Sequence, residues 1–347
     1  MTYQVFQWAS GTVGRHAARV VLGRAGLELV GLHVLGQDKI GKDAGELVGA
    51  AACGIAASSD INLIKQSSAD VVIHAPLASM VYGEDPEQDL KDICELLAAG
   101  KNVITVVGYM YPKVYGQTVM AQLQQACEQG NSTFHSTGLN PGWMGDLVPI
   151  TMSALSERID HIHVLEISNF EHYPSPEIMF ESMGFASQPE QFERSSERRT
   201  RWLNGLFSES VQMVADGTGL AIDTVDSTMT LELASEDLQT ASGTVAQGTV
   251  AGQHWRWAGT QAGVERIVHE TVWRIHGSVA PSWPEGKHSI RISGSPEMLL
   301  EFEANYVSDG LLATAMHAVN AIPAVCAAGA GVKTFLDLPW LLTPGAN

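Results

Sequence analysis

The chain has little with which to hold nucleic acid. It carries 20 Lys and Arg against 38 Asp and Glu, a formal charge of -18 at pH 7, and a phosphate backbone is neutralised only by clustered cations. It also lacks paired cysteines. Cys53, Cys94, Cys127 and Cys326 are widely spaced with no C-x-x-C, which excludes a zinc ribbon or a dense disulfide frame and reads as free thiols in a reducing compartment. No apolar run approaches the roughly 20 residues that span a bilayer, so no membrane partner is expected. The first residues have no basic stretch leading into an apolar one, so no secretory signal is read and a cytoplasmic location is expected. On that reading Asn131-Ser132-Thr133 is a loop, not a glycosylation acceptor. There is no P-loop and no G-x-S-x-G elbow. His161 and His163 have no third ligand at a convincing spacing, so no metal is expected and a packed or surface pair is favoured.

What is present is alternation. Val5–Trp8, Leu27–Leu35, Ala69–Leu77, "NVITVVG" and "STFHSTG" read as strands. Several are continuously apolar, as strands buried on both faces should be. Amphipathic segments lie between them: one from Arg15 to Leu22 is stopped by Gly26, one from Asp85 ends on Gly100, and one from Gly116 ends on Gly130. That rhythm predicts an α/β fold with a Rossmann-type doubly wound parallel sheet. At the first strand-to-helix junction stands "ASGTVG", a dinucleotide turn whose first glycine is replaced by Ala9. Gly11 would let the backbone approach a pyrophosphate, and Gly14 would let helix and sheet pack closely. Ala9 is harmless there if its backbone stays extended. Ser10, Gly11, Thr12, Val13, Gly14 and Arg15 are therefore the first cofactor-binding candidates. The second strand ends without the acid that usually binds an unphosphorylated ribose, and Lys39 follows. Lys39, with Arg15, favours NADP over NAD.

Beyond about residue 145 the pattern changes to period two. "HIHVLEISNF", "TVAGQHWRWAG", "ERIVHETVWRI" and "KHSIRISG" alternate apolar and polar positions, and one helix around "TRWLNGLFSESVQMVAD" interrupts them. An α+β domain with an open, largely antiparallel sheet is expected. The tail "GLLATAMHAVNAIPAVCAAGAG" returns to helix, with Pro323 marking a kink or an end. The expected domains are 1–145 for the dinucleotide, 146–307 for substrate and dimerisation, and 308–347 as a helix returning to the first domain. A ligand is expected in the cleft between them.

On "QWASGTVG", "TGLNPGW" and "NAIPAV", with "DKIGKDAGEL" and "YPSPE" between, the chain resembles the dihydrodipicolinate-reductase-like oxidoreductases, near native amine dehydrogenases and 2,4-diaminopentanoate dehydrogenase. The resemblance runs over nearly the full length. It implies hydride transfer between a nicotinamide cofactor and a carbonyl, imine or amine substrate, in a homodimer paired through the second-domain sheet. Two departures stand out. The lysine and S-G-T segment of true dihydrodipicolinate reductases is absent from "VLEISNFEHYPSPE", which argues against lysine biosynthesis. The catalytic glutamate of the amine dehydrogenases is also absent, since Gly108, Tyr109, Met110 and Tyr111 stand there.

For the proton that accompanies a hydride, the candidates are Tyr173 first, from an aromatic position in the resembling enzymes, then His172 and Glu171. Ala75, Pro76, Gly108, Asn140, Pro141 and, by resemblance, Asn320 complete the cofactor set. Tyr109, Tyr111, Trp143, Met144 and Asn169 are the substrate-pocket candidates. With no basic cluster among them, a small neutral or apolar substrate is expected. The competing expectation is a dinucleotide-binding sensor or partner protein without catalysis.

Overall fold

The computed structural model describes residues 2–173, 176–303 and 306–343; Pro174 and Ser175 of the "YPSPE" segment lie outside them. In chain order the first part comprises β1 (Tyr3–Trp8), α1 (Thr12–Gly23), β2 (Leu27–His33), α2 (Ala44–Leu47), α3 (Ile61–Gln66), β3 (Val71–His74), α4 (Ser79–Tyr82), α5 (Gln88–Ala98), β4 (Asn102–Thr105), α6 (Gln117–Gly130) and β5 (Thr133–Ser136). The middle comprises α7 (Val148–Ser153), β6 (Arg158–Asn169), α8 (Pro189–Ser195), α9 (Glu197–Thr218), β7 (Thr224–Leu233), β8 (Leu238–Thr240), β9 (Gly243–Val245), β10 (Val250–Gln261), β11 (Val264–Arg274), β12 (His288–Ser295) and β13 (Met298–Phe302). Then come α10 (Tyr306–Ala327) and β14 (Gly331–Lys333). The chain divides into one compact unit of Met1–Trp143 with Leu311–Asn347 and another of Met144–Gly310.

The first unit is built on a six-stranded sheet in the order β14-β5-β4-β3-β1-β2. Every pairing in it is parallel. β3 and β5 are buried at every residue, which is why they read as unbroken apolar runs. β1 lies between β2 and β3, so strand order reverses there and leaves a crevice beyond the carboxyl ends. One face of the sheet packs Val5, Ile73 and Ile104 against Ala17 and Val21 of α1 and Ala318 and Ile322 of α10.

α10 departs from the sequence reading in two ways. It runs through Pro323, so of the two expectations there, a kink or an end, the end is excluded. Its segment Asp309–Ala327 is also long and apolar enough to cross a membrane by length and composition, contrary to the expectation that no such run exists. The apolarity has a use within the fold: Ala315, Ala318, Val319, Ala321, Ile322 and Val325 are fully or almost fully buried in the first unit's core.

The second unit carries a six-stranded sheet in the order β13-β12-β6-β11-β10-β7. Its pairings are antiparallel except that of β6 with β11, which is parallel. α9 covers one face: Phe207 stacks on Trp257 at 3.9 Å between centroids, and the Trp257 indole donates to Asn204 Oδ1 at 2.8 Å. On the same face His269 Nε2 donates to the Gly145 carbonyl at 3.1 Å. On the opposite face the Glu270 carboxylate bridges His163 at 2.8 Å and His254 at 2.6 Å. Burial pushes that carboxyl up, but the two imidazole contacts outweigh it and hold Glu270 at about 2.

Candidate functional site

The turn after β1 is strained where the sequence reading placed it at rest. Ala9 stands at φ +72, in the left-handed region that disfavours a side chain. The assumption of an extended Ala9 is therefore corrected. The compensation comes from Gln7, a fully buried residue that the sequence reading passed over. Its side-chain amide nitrogen lies 2.9 Å from the Trp8 carbonyl, 3.2 Å from that of Ala9 and 3.2 Å from that of Ile73. A polar residue inside an otherwise apolar strand was the available signal.

The two glycines have different reasons to be there. A Cβ on Gly14 would sit 2.1 Å from the Ala9 carbonyl oxygen, so Gly14 is fixed by the fold. A Cβ on Gly11 would meet nothing within 4 Å. No protein atom requires that glycine, and the space above it is open. Gly11 also caps α1 without any side-chain hydrogen bond to the first turn. Ser10 is buried, while Thr12 and Val13 begin the helix whose free N–H groups lie beside it. An uncapped helix start over open space fits a pyrophosphate.

Beneath the turn, the Trp8 ring stacks on His33 at 4.2 Å, and His74 Nδ1 contacts Thr105 Oγ1 at 3.0 Å. Beyond β2, the Lys39 ammonium donates to Ser10 Oγ at 3.2 Å, which aims a cation at the dinucleotide turn. Arg15 reaches toward the loop that follows α2. Its guanidinium lies 3.9 Å from the place a Cβ on Gly49 would take, beside Arg19. After β3, the Ala75 amide donates to the Trp8 carbonyl at 3.1 Å, Pro76 is half-buried and Leu77 is exposed.

The loops after β4 and β5 are knitted together. Gly108 at φ +135 and Tyr109 at φ +65 turn the chain sharply, and Ser136 Oγ donates to the Gly108 carbonyl at 2.6 Å. Tyr109, Met110 and Tyr111 are buried. Lys113, another residue the sequence reading passed over, donates to the Tyr111 hydroxyl at 2.9 Å. A cation so placed occupies an acceptor site of the phenolic oxygen and fixes the orientation of the Tyr111 hydroxyl. After β5 the chain turns through Asn140, Pro141 and Gly142, the last at φ +132, and the Trp143 amide closes the turn on the Gly138 carbonyl at 3.0 Å. A Cβ on Gly142 would lie 3.7 Å from Met110 Sδ.

Other predicted site residues are engaged differently. Asn320 Oδ1 accepts from Arg24 at 2.7 Å. Arg24 follows the carboxyl end of α1, on the side where β2 begins, so this contact ties the Asn320 side-chain oxygen to the end of α1. In the second unit the Tyr173 ring belongs to an apolar cluster with Met179, Phe185 and Phe192, and burial pushes its hydroxyl pKa up. Asn169 Oδ1 accepts from the Glu171 amide at 3.0 Å and so holds a turn. Glu171 lies 3.8 Å from His276, His172 is exposed, and Met144 is buried.

A parallel sheet whose switch point carries an uncapped, glycine-opened helix start defines a dinucleotide-binding protein of the Rossmann class. The model of the 2,4-diaminopentanoate dehydrogenase C-terminal domain matches residues 143–343. The chain belongs to that dehydrogenase family. An amine dehydrogenase of Streptomyces virginiae is 28% identical over 351 residues, covering 96% of this chain and 95% of its own. The 2,4-diaminopentanoate dehydrogenase of Acetoanaerobium sticklandii is 25% identical over 338 residues, with coverages of 95% and 91%. Among solved structures, the amine dehydrogenase from Mycobacterium smegmatis shares the fold with a TM-score of 0.79 and 21% identity, covering 99% of this chain and 98% of that one. The fold and these relatives support an NAD(P)-dependent oxidoreductase.

Proposed function

We propose that the protein uses NADP(H) to move a hydride between the nicotinamide and a small, neutral or apolar carbonyl, imine or amine. The observation that carries the cofactor choice is Lys39. Its ammonium contacts Ser10 in the dinucleotide turn, and no carboxylate ends β2. A 2′-phosphate gains a cation there, whereas the carboxylate that usually takes the hydroxyls of an unphosphorylated ribose is missing from the end of β2, Asp38 standing further along the loop. When bound, the nicotinamide supplies or receives the hydride. The chain's own tasks are to hold the pyrophosphate on the start of α1, to fix the nicotinamide end between the loops after β4 and β5, and to exchange a proton with the substrate heteroatom. Tyr111, with Lys113 on its hydroxyl, fills the proton role better than Tyr173, which is packed in an apolar cluster.

Titration with NADPH and NADH, followed by a carbonyl screen with and without ammonia, tests this reading. NADPH is expected to bind more tightly, and Lys39→Ala to cut the NADPH/NADH preference by about tenfold. An unchanged ratio removes Lys39 from the phosphate site. Tyr111→Phe is expected to keep dinucleotide affinity and lose turnover. Binding of NADPH with no turnover on any substrate favours the sensor reading, which the lack of a carboxylate at residues 108–111 supports. The proposal also takes the protein as a cytoplasmic homodimer paired through the second-unit sheet, where Leu299 and Leu300 of the edge strand β13 are exposed. A monomeric mass by light scattering ends that part of it.

A further inference from the structure

Of the buried histidines, one has its ring against the loop that follows β5. His317, on α10, lies with Nδ1 2.6 Å from Thr137 Oγ1. Both residues are buried, at 8% and 2% exposure. The ring is fixed from the side by Phe335, stacked 5.5 Å away with 28° between the planes. The same Thr137 leads into Gly138, whose carbonyl lies beside the imidazole and also accepts from Trp143 to close the turn. Thr137 is thus the post on which the Asn140–Gly142 turn stands, and a Cβ on Gly142 would lie 3.9 Å from its Oγ1. His317 Nε2 is buried and has no hydrogen-bond partner among the described residues. An unsatisfied buried nitrogen is a cost in the folded state, so stability alone does not account for an imidazole here. The contact made through Nδ1 does.

Position along the sheet says which half of a dinucleotide this pair serves. The strand order reverses between β1 and β3, and Lys39 on the β2 side marks the ribose that carries the 2′ group. The adenosine half therefore belongs over β2, and the other nucleotide over the ends of β3, β4 and β5. Thr137 directly follows β5, and Ser136 anchors Gly108 after β4. Both loops that could flank a nicotinamide are thus set from this point.

We propose that His317 is a positioning residue for the nicotinamide half of the cofactor, acting through Thr137 on the Asn140–Gly142 turn. This rests on the dinucleotide reading above and assigns its two halves to separate supports. It is tested on the full-length protein with two probes: NADPH, followed by nicotinamide fluorescence, and adenosine 2′,5′-bisphosphate, which lacks the nicotinamide half. His317→Leu is expected to weaken NADPH about tenfold and to abolish the nicotinamide emission change, while the bisphosphate binds within about twofold of the parent. His317→Asn, whose amide can stand where Nδ1 stands, is expected to retain NADPH binding. His317→Gln, whose amide stands where Nε2 stands, is expected to behave like the leucine variant.

Unchanged NADPH binding in His317→Leu overturns the proposal. So does parallel loss of both probes, which would make His317 a residue of the fold alone, and so does rescue by Gln in place of Asn. If the parent protein itself binds neither probe, the dinucleotide reading fails first, and that outcome is visible before any variant is made.

Discussion

At the scale of single residues, one carbonyl decides which glycine of the opening turn can be replaced. The Ala9 oxygen would lie 2.1 Å from a Cβ at position 14, while position 11 faces open space. Gly14→Ala is therefore expected to destabilise the protein by about 1–3 kcal/mol in urea unfolding, as overpacking against backbone does. Gly11→Ala is expected to unfold within about 0.5 kcal/mol of the parent yet lose dinucleotide affinity, because its methyl enters the space the phosphates need. Equal stability losses at both positions would make the motif an ordinary tight turn. The close packing at Gly14 was legible in the sequence. The strain at Ala9 was not, because nothing in "ASG" reveals that Gln7 reaches under the turn to hold three carbonyls. Lys39 was legible as a charge after β2, but its contact with Ser10 depends on the path of the loop between them.

At the scale of elements, α10 shows where pattern reading stops. The run of alanines with Val319, Ile322 and Val325 announced a helix returning to the first domain, and its apolar side chains do fill the first unit's core. Which of its polar residues faced the ligand end could not be read, since a helix presents every direction within four residues. Asn320 turned out to hold Arg24, while His317 three positions earlier reaches Thr137. Asn320→Leu is expected to cost about 1 kcal/mol of stability by removing that charge-assisted bond and to leave NADPH affinity unchanged. Loss of NADPH affinity without loss of stability would restore Asn320 to the cofactor site. Pro323 was a poor marker of helix end because its missing N–H matters less where core packing holds the helix on both sides of it. In the second unit, alternation marked β6, β10, β11 and β12, while β7, β8, β9 and β13 were not read from it. The parallel join of β6 to β11 lay beyond it, since period two is the same in either direction.

Across the whole molecule, burial keeps several imidazoles neutral. Desolvation pushes His74 and His269 down to about 3 and His135 and His317 down to about 4. In the unfolded chain these side chains regain an ordinary value near 6.5 and bind protons that the folded state refuses. Their contribution to stability is complete above about pH 6.5 and is lost as the pH falls toward 3–4, by roughly 2 kcal/mol per histidine on reaching pH 5. Glu270 does not offset this: its depressed value, about 2, gives stability that is present above about pH 4.5 and lost only below it. Urea midpoints are therefore expected to drop steeply between pH 6.5 and 5. A flat profile over that window would mean that these rings are hydrated in solution.

The compact unit that carries the dinucleotide turn is made from two stretches of chain, with all of Met144–Gly310 between them. During synthesis its five leading strands emerge first, yet Ala318, Ile322 and their neighbours, which complete one face of its core, are still untranslated. That face must wait, uncovered, while a whole second unit is made. The stretch translated before the second unit is finished only after it, and a message broken between them leaves that earlier stretch without one wall of its core.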